Sequence, residues 1–191
     1  MSSSNDERSV DDAILDAAAE LIVHLGLRRT QLSEIARRAG VSRPTVYRRW
    51  PDVRAVIGAL LTREVLAAQA EVAPAGDDRE SLVASVVEMA VRLRDHPVLS
   101  SLLESDADAL LEYVVHRLGT SQRGALAVLG TAVERGQAHG SIRAGDPNQL
   151  AVMVLLITQS TVQSHRMVAQ LLPEEAWRRE LAIALNGYLA P

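Results

Sequence analysis

At 191 residues, with 48% hydrophobic and 23% charged side chains, the chain has the composition of an ordinary globular protein and room for one well-packed domain plus a small appended one. It has no cysteine, which excludes disulfides, thiolate nucleophiles and cysteine-based metal sites; the longest apolar run, Leu150 to Ile157, is far short of the ~20 residues that span a bilayer. With no export signal at its start, the chain is expected to be cytoplasmic. The formal charge of −4 conceals an asymmetry: residues 28–54 hold Arg28, Arg29, Arg37, Arg38, Arg43, Arg48, Arg49 and Arg54 against Glu34 and Asp52, or +6, leaving −10 for the rest. A short basic segment on an acidic body keeps a nucleic-acid partner open despite the negative total.

Residues 1–8 are polar and Ser-rich and read as a flexible tail. From Ile14, apolar residues recur at Ala17, Ala18, Leu21, Ile22 and Leu25 with helical spacing, and Gly26 ends this first helix. Thr30 is expected to cap a second, short helix that buries Leu32, Ile35, Ala36 and Ala39, after which Gly40 supplies a left-handed turn. Ser42 caps a third short helix that tolerates Pro44, because first-turn amides have no intrahelical acceptor. Asp52 opens a fourth, linking helix over about residues 52–72, with Ile57, Leu60, Leu61, Val65 and Ala68 on one face, and residues 73–78 form the clearest linker.

Beyond the linker a helix apolar on two sides (Leu82, Val86, Met89, Ala90 and Leu93; Val83, Val87 and Val91) stops at His96-Pro97. Shorter helical pieces follow around Leu99 to Leu103, around Leu110, Leu111, Val114 and Leu118, and around Leu126, Leu129 and Val133, closed by Gly136 and Gly140. Asp146-Pro147 opens a long helix to about Leu171 whose first turns are apolar all round. Pro173-Glu174-Glu175 opens the last, with Trp177, Leu181, Ala184, Leu185 and Tyr188 on one face and acids at the positive end of its dipole. No strand pattern occurs, so the expected fold is all-α: a helix-turn-helix domain over 9–51 and a larger helical domain over 52–191.

Short helices joined at Gly40 describe a helix-turn-helix, which presents its last helix to the DNA major groove. Arg43, Arg48 and Arg49 offer bidentate donors to phosphates or guanine edges, Thr45 and Tyr47 offer hydroxyls, and Val46 and Trp50 clamp the helix from within. The stretch Thr30 to Trp50, TQLSEIARRAGVSRPTVYRRW, preceded by ILDAAAELIVHLG, resembles the DNA-binding signature of the TetR family of regulators over about residues 8–60; beyond it the likeness is one of architecture. That resemblance implies a DNA-binding set of Thr30, Gln31, Ser42, Arg43, Pro44, Thr45, Tyr47, Arg48 and Arg49. One departure stands out: where the family often places a phosphate-contacting lysine after the closing aromatic, this chain has Val53, and Arg54 is the nearby substitute.

The resemblance further implies a homodimer through the last two helices (about 147–189), a double-stranded operator, and a small-molecule effector that releases a repressor from it. A mostly apolar pocket with a few orienting groups is expected from Met89, Leu93, His96, Tyr113, His116, Met153 and Gln159. The alternative is a C-terminal half that only dimerises or binds a protein. The histidines (His24, His96, His116, His139 and His165) show no paired metal-ligand spacing, and neither a phosphate loop nor a nucleophile elbow is present; no metal, cofactor or catalytic residue is expected.

Overall fold

The computed structural model describes residues 3–72, 76–105 and 118–191, and every regular element among them is helical. In chain order these are α1 (Ser3–Leu25), a 3-10 turn (Leu27–Arg29), α2 (Leu32–Arg38), α3 (Arg43–Arg49), α4 (Val53–Glu71), α5 (Arg79–Asp95), α6 (Pro97–Ser105), α7 (Thr120–Ala138), α8 (Pro147–Val168) and α9 (Glu174–Leu189). None of the described helices is long and apolar enough to cross a membrane. The expected helix around Leu110, Leu111 and Val114, and with it Tyr113 and His116, lies outside the described residues.

Two expectations change. Helix α1 begins at Ser3, inside the stretch read as a tail; a helix nucleated by the Ile14–Leu25 stripe extends readily through residues 3–13, which contain neither Pro nor Gly. Thr30 does not cap α2. It closes the 3-10 turn with its amide on the Leu27 carbonyl (3.0 Å) and donates its hydroxyl to the Gly26 carbonyl (2.9 Å), so Gln31 takes the cap position without a side-chain bond. The other caps form as expected: Asp52 accepts from the Ala55 amide (2.8 Å), and Asp146 from those of Asn148 and Gln149 (2.8 and 3.3 Å), with Pro147 opening the helix.

The chain divides into two compact units, residues 1–64 with 96–119 and residues 65–95 with 120–191. The core of the first joins Ile14, Leu15, Ala18, Leu21 and Ile22 of α1, Leu32 and Ile35 of α2, Val46 of α3, and Val56, Ile57, Leu60 and Leu61 of α4 to Val98 and Leu102 of α6. Helix α6 is therefore part of the same core as the helix-turn-helix, although α5 precedes it in the chain and belongs to the other unit. The Ser101 hydroxyl fastens it to α1 by donating to the Ile22 carbonyl (2.8 Å).

The second core gathers Leu82, Val83, Val87, Ala90 and Val91 of α5, Val133 of α7, Leu150 and Val154 of α8, and Trp177, Leu181, Leu185 and Leu189 of α9. One cation sits inside this unit. Arg94 lies over the Trp177 ring, 5.2 Å from its centroid, and bonds both Asp95 carboxylate oxygens (2.7 and 2.8 Å), with Glu174 at 3.3 Å. These bonds hold the Arg94 guanidinium above and the Asp95 carboxyl below their ordinary pKa values. His165 meets the same indole edge-on at 5.5 Å between ring centroids, and burial, reinforced by the Arg94 charge, pushes its pKa down.

Truncation of Leu102, fully buried on α6, to alanine is expected to destabilise the protein by about 2–5 kcal/mol; a denaturant midpoint equal to wild type would show that α6 is not integral to that core. The depressed His165 means that the unfolded chain binds its proton first as pH falls, so this contribution to stability is complete above about pH 6.5 and is lost as pH drops below it. Unfolding midpoints at about pH 8 and about pH 5.5 should therefore fall further apart in wild type than in His165→Gln, and equal shifts in both proteins would remove His165 as the cause.

Candidate nucleic-acid interface

The turn between α2 and α3 is built by backbone geometry. Gly40 adopts φ 67°, a left-handed value that costs glycine nothing, and the Val41 amide returns to the Ala36 carbonyl at 3.0 Å. Ser42 then caps α3: its hydroxyl accepts from the Thr45 amide (3.3 Å) and lies 2.7 Å from the Thr45 hydroxyl, while Pro44 occupies the first turn. Val46 faces inward at 0% exposure and Trp50 packs against the same core, which fixes the rotation of α3 about its axis. The outward face is thereby set: Tyr47 is 53% exposed, and Arg43, Pro44 and Arg48 are exposed beside it.

Ion pairs sort the arginines. Arg37 forms a forked pair with Glu34 (3.0 and 2.5 Å), which holds the Glu34 carboxyl below its usual range and the guanidinium above its own. Arg38 bonds Glu20 of α1 at 2.5 Å. Arg49, its side chain only 17% exposed, pairs with Asp11 of α1 and reaches the Thr45 carbonyl at 3.5 Å, so α3 is tied to α1 through a residue expected to face DNA. Among the described residues, Arg43 and Arg48 have no carboxylate partner, and they are the exposed cations of α3.

Of the other expected contacts, Gln31 is exposed at the start of α2, Arg54 is exposed on the first turn of α4, and Thr30 is 5% exposed with its hydroxyl turned to Gly26. Sequence reasoning missed the clamps from Asp11 and Glu20, because acids on α1 and arginines after it show no shared spacing until the helices pack.

The described residues among those expected to line the pocket fall in both units. Met89 and Leu93 are half-buried on α5, and Gln159 of α8 accepts a bond from the Gln122 side chain of α7 (2.7 Å), all within the second unit. Met153 is 41% exposed on the outer side of α8, near Val152 and Leu156. His96 belongs to the first unit, where its Nε2 lies 3.2 Å from a Glu64 oxygen.

Residues 14–60 match the profile of the bacterial regulatory proteins of the tetR family. An uncharacterized HTH-type transcriptional regulator of Mycobacterium tuberculosis is 47% identical over 189 residues, 99% of each chain. The transcriptional repressor QsdR of R. erythropolis shares the fold at a TM-score of 0.69 and 16% identity, covering 96% of this chain and 95% of its own. The regulator FadR of Bacillus subtilis, solved in complex with stearoyl-CoA, does so at 0.67 and 20%, covering 93% and 98%. A helix-turn-helix with its cationic face turned outward, carried by a chain whose near-full-length relative is a transcriptional regulator, has one reading: the protein belongs to the TetR family and is a DNA-binding transcriptional regulator, not an enzyme.

Proposed function

We propose that the protein is a repressor that binds a pseudo-palindromic operator as a homodimer and is released by a small molecule. The observation that carries this reading is the outward face of α3, where Arg43, Tyr47 and Arg48 stand exposed on a helix anchored by Val46. Arg43 and Arg48 supply donors for guanine edges or phosphates, the Tyr47 hydroxyl and the Thr45 side chain supply phosphate contacts, and Ser42, Pro44, Gln31 and Arg54 flank them. Thr30 and Arg49 act from behind, the first by closing the turn and the second by holding α3 to α1.

Exposed apolar side chains support the dimer. Val152 (39%), Met153 (41%), Leu156 (50%) and Met167 (81%) lie along α8, Leu171 (85%) follows it and Ile183 (57%) lies on α9; a stripe of this kind calls for a partner, and a two-fold axis lets one patch cover itself. The dimer sets its two recognition helices ~34 Å apart to meet successive major grooves. An effector held by the half-buried side of α5 and α8, with Met89, Leu93 and Gln159 as contacts, acts by binding better to a form with another spacing. Helix α4, which starts at the Asp52 cap after the recognition helix and ends in the second unit, is the element that transmits this change.

Selection from random duplexes should enrich an inverted repeat whose affinity falls steeply with salt. Arg43→Ala with Tyr47→Ala should weaken that binding by at least about tenfold, whereas Arg37→Ala, whose charge is already occupied by Glu34, should bind nearly as wild type. Equal binding by the double variant would make the motif structural and overturn the operator reading. For the dimer, Leu156→Glu with Ile183→Glu should sediment as a monomer at concentrations where wild type is dimeric; an unchanged mass would move the interface elsewhere.

A further inference from the structure

Two sets of polar contacts, joined by the backbone of α1, lie between the start of α6 and the recognition helix. His96 is the N-cap of α6, its carbonyl accepting from the Ser100 amide (2.9 Å). Its Nε2 lies 3.2 Å from one oxygen of Glu64, while the other oxygen accepts from Nε and Nη2 of Arg63 (3.0 and 2.8 Å). The remaining Arg63 nitrogen reaches across to α1, to the Asp16 carboxylate (2.8 Å) and the Asp12 carbonyl (3.3 Å). On that same helix Asp11, next to Asp12, pairs with Arg49 of α3.

The α4 and α6 members of the first set are sheltered, with side-chain exposures of 28% for Arg63, 19% for Glu64 and 24% for His96, so their charges are screened less than those of open surface pairs. Burial works against the Arg63 charge, yet Glu64 and Asp16 hold its pKa above the ordinary value. Each Glu64 oxygen has a separate partner, so loss of the His96 bond leaves one of them without its donor and frees the first turn of α6, whose Val98 and Leu102 share a core with Val46.

We propose that His96 is a positioning residue for DNA binding: its bond to Glu64 completes the series Glu64–Arg63–Asp16 on α4 and α1 and Asp11–Arg49 on α1 and α3, which holds the recognition helix in its DNA-competent place. His96 touches no DNA in this role; it raises the fraction of molecules ready to bind, and apparent affinity scales with that fraction. The inference rests on the operator-binding reading for its consequence but not for its mechanism, which is visible without DNA.

The test has two readouts on the full chain: hydrogen exchange at the Val46 amide of α3 and at the Trp50 amide that closes it on the Val46 carbonyl, and affinity for the duplex selected by the wild-type protein. His96→Ala should accelerate exchange in α3 by about tenfold, the size expected for losing a hydrogen bond to a charged group, and weaken duplex binding by up to that factor, while exchange in α9 stays as in wild type. His96→Gln, which keeps a side-chain N–H donor, should restore most of both. Glu64→Gln, which keeps the shape but removes the charge that holds Arg63, should loosen α3 in the same way and serves if His96→Ala does not fold. Unchanged α3 exchange, affinity loss without faster exchange, faster exchange without affinity loss, or failure of His96→Gln to rescue would each overturn the proposal. If wild type selects no duplex while exchange responds as expected, the operator reading and the claimed consequence for DNA binding fail, and the contacts stand as structural ones.

Discussion

A seven-residue helix is not stable alone in water, where isolated helices shorter than ~12–15 residues are marginal, and the recognition helix of this protein has seven residues. Its existence as a rigid surface therefore depends on the burial of Val46 in a core supplied by other elements: Ile14 and Ala18 from α1, Ile35 from α2, Leu60 from α4 and Leu102 from α6. Caps and turn geometry specify where the helix starts and how it bends away from α2, but they contribute little against the entropy of ordering it. Packing supplies the rest, and in doing so it decides which side chains of α3 face water.

Charge follows from that orientation. Eight arginines between residues 28 and 54 form a strongly positive segment on paper, but internal acids occupy several: Glu34 takes Arg37, Glu20 takes Arg38 and Asp11 takes Arg49. The cations still available on α3 are thus concentrated at Arg43 and Arg48, around Tyr47. This arrangement favours recognition over indiscriminate attraction, because a phosphate backbone attracts every uncompensated cation regardless of sequence. The compensated arginines meanwhile tie the short helices to α1.

In the C-terminal unit the comparable anchor is Trp177, on whose ring Arg94 and His165 converge. A buried guanidinium is tolerated because Asp95 and Glu174 pair with it and the indole face attracts it. Here α5, α8 and α9 meet at one point, while the same two last helices carry exposed Leu156, Met167 and Ile183 on their outer sides. A rigid inner face and an apolar outer face on the same pair of helices suit a surface that must keep its shape when it meets a partner.

The sequence by itself determined the helical fold class, the helix starts at Ser42, Asp52, Asp146 and Pro173, the Gly40 turn and the placing of Arg43, Tyr47 and Arg48 on α3, because caps, glycine torsions and helical periodicity are local properties written in neighbouring residues. A short helical piece around Leu99 to Leu103 was also legible, but neither its inward side nor its partner. Only the tertiary structure decided that α6 completes the core of the helix-turn-helix, that Thr30 turns its hydroxyl to Gly26 in place of capping α2, that Arg49 serves Asp11, and that His96 answers to Glu64. Apart from the local Thr30 turn, those outcomes depend on contacts between residues far apart in the chain, such as Glu64 and His96, and periodicity within one helix carries no information about which remote side chain will meet its face.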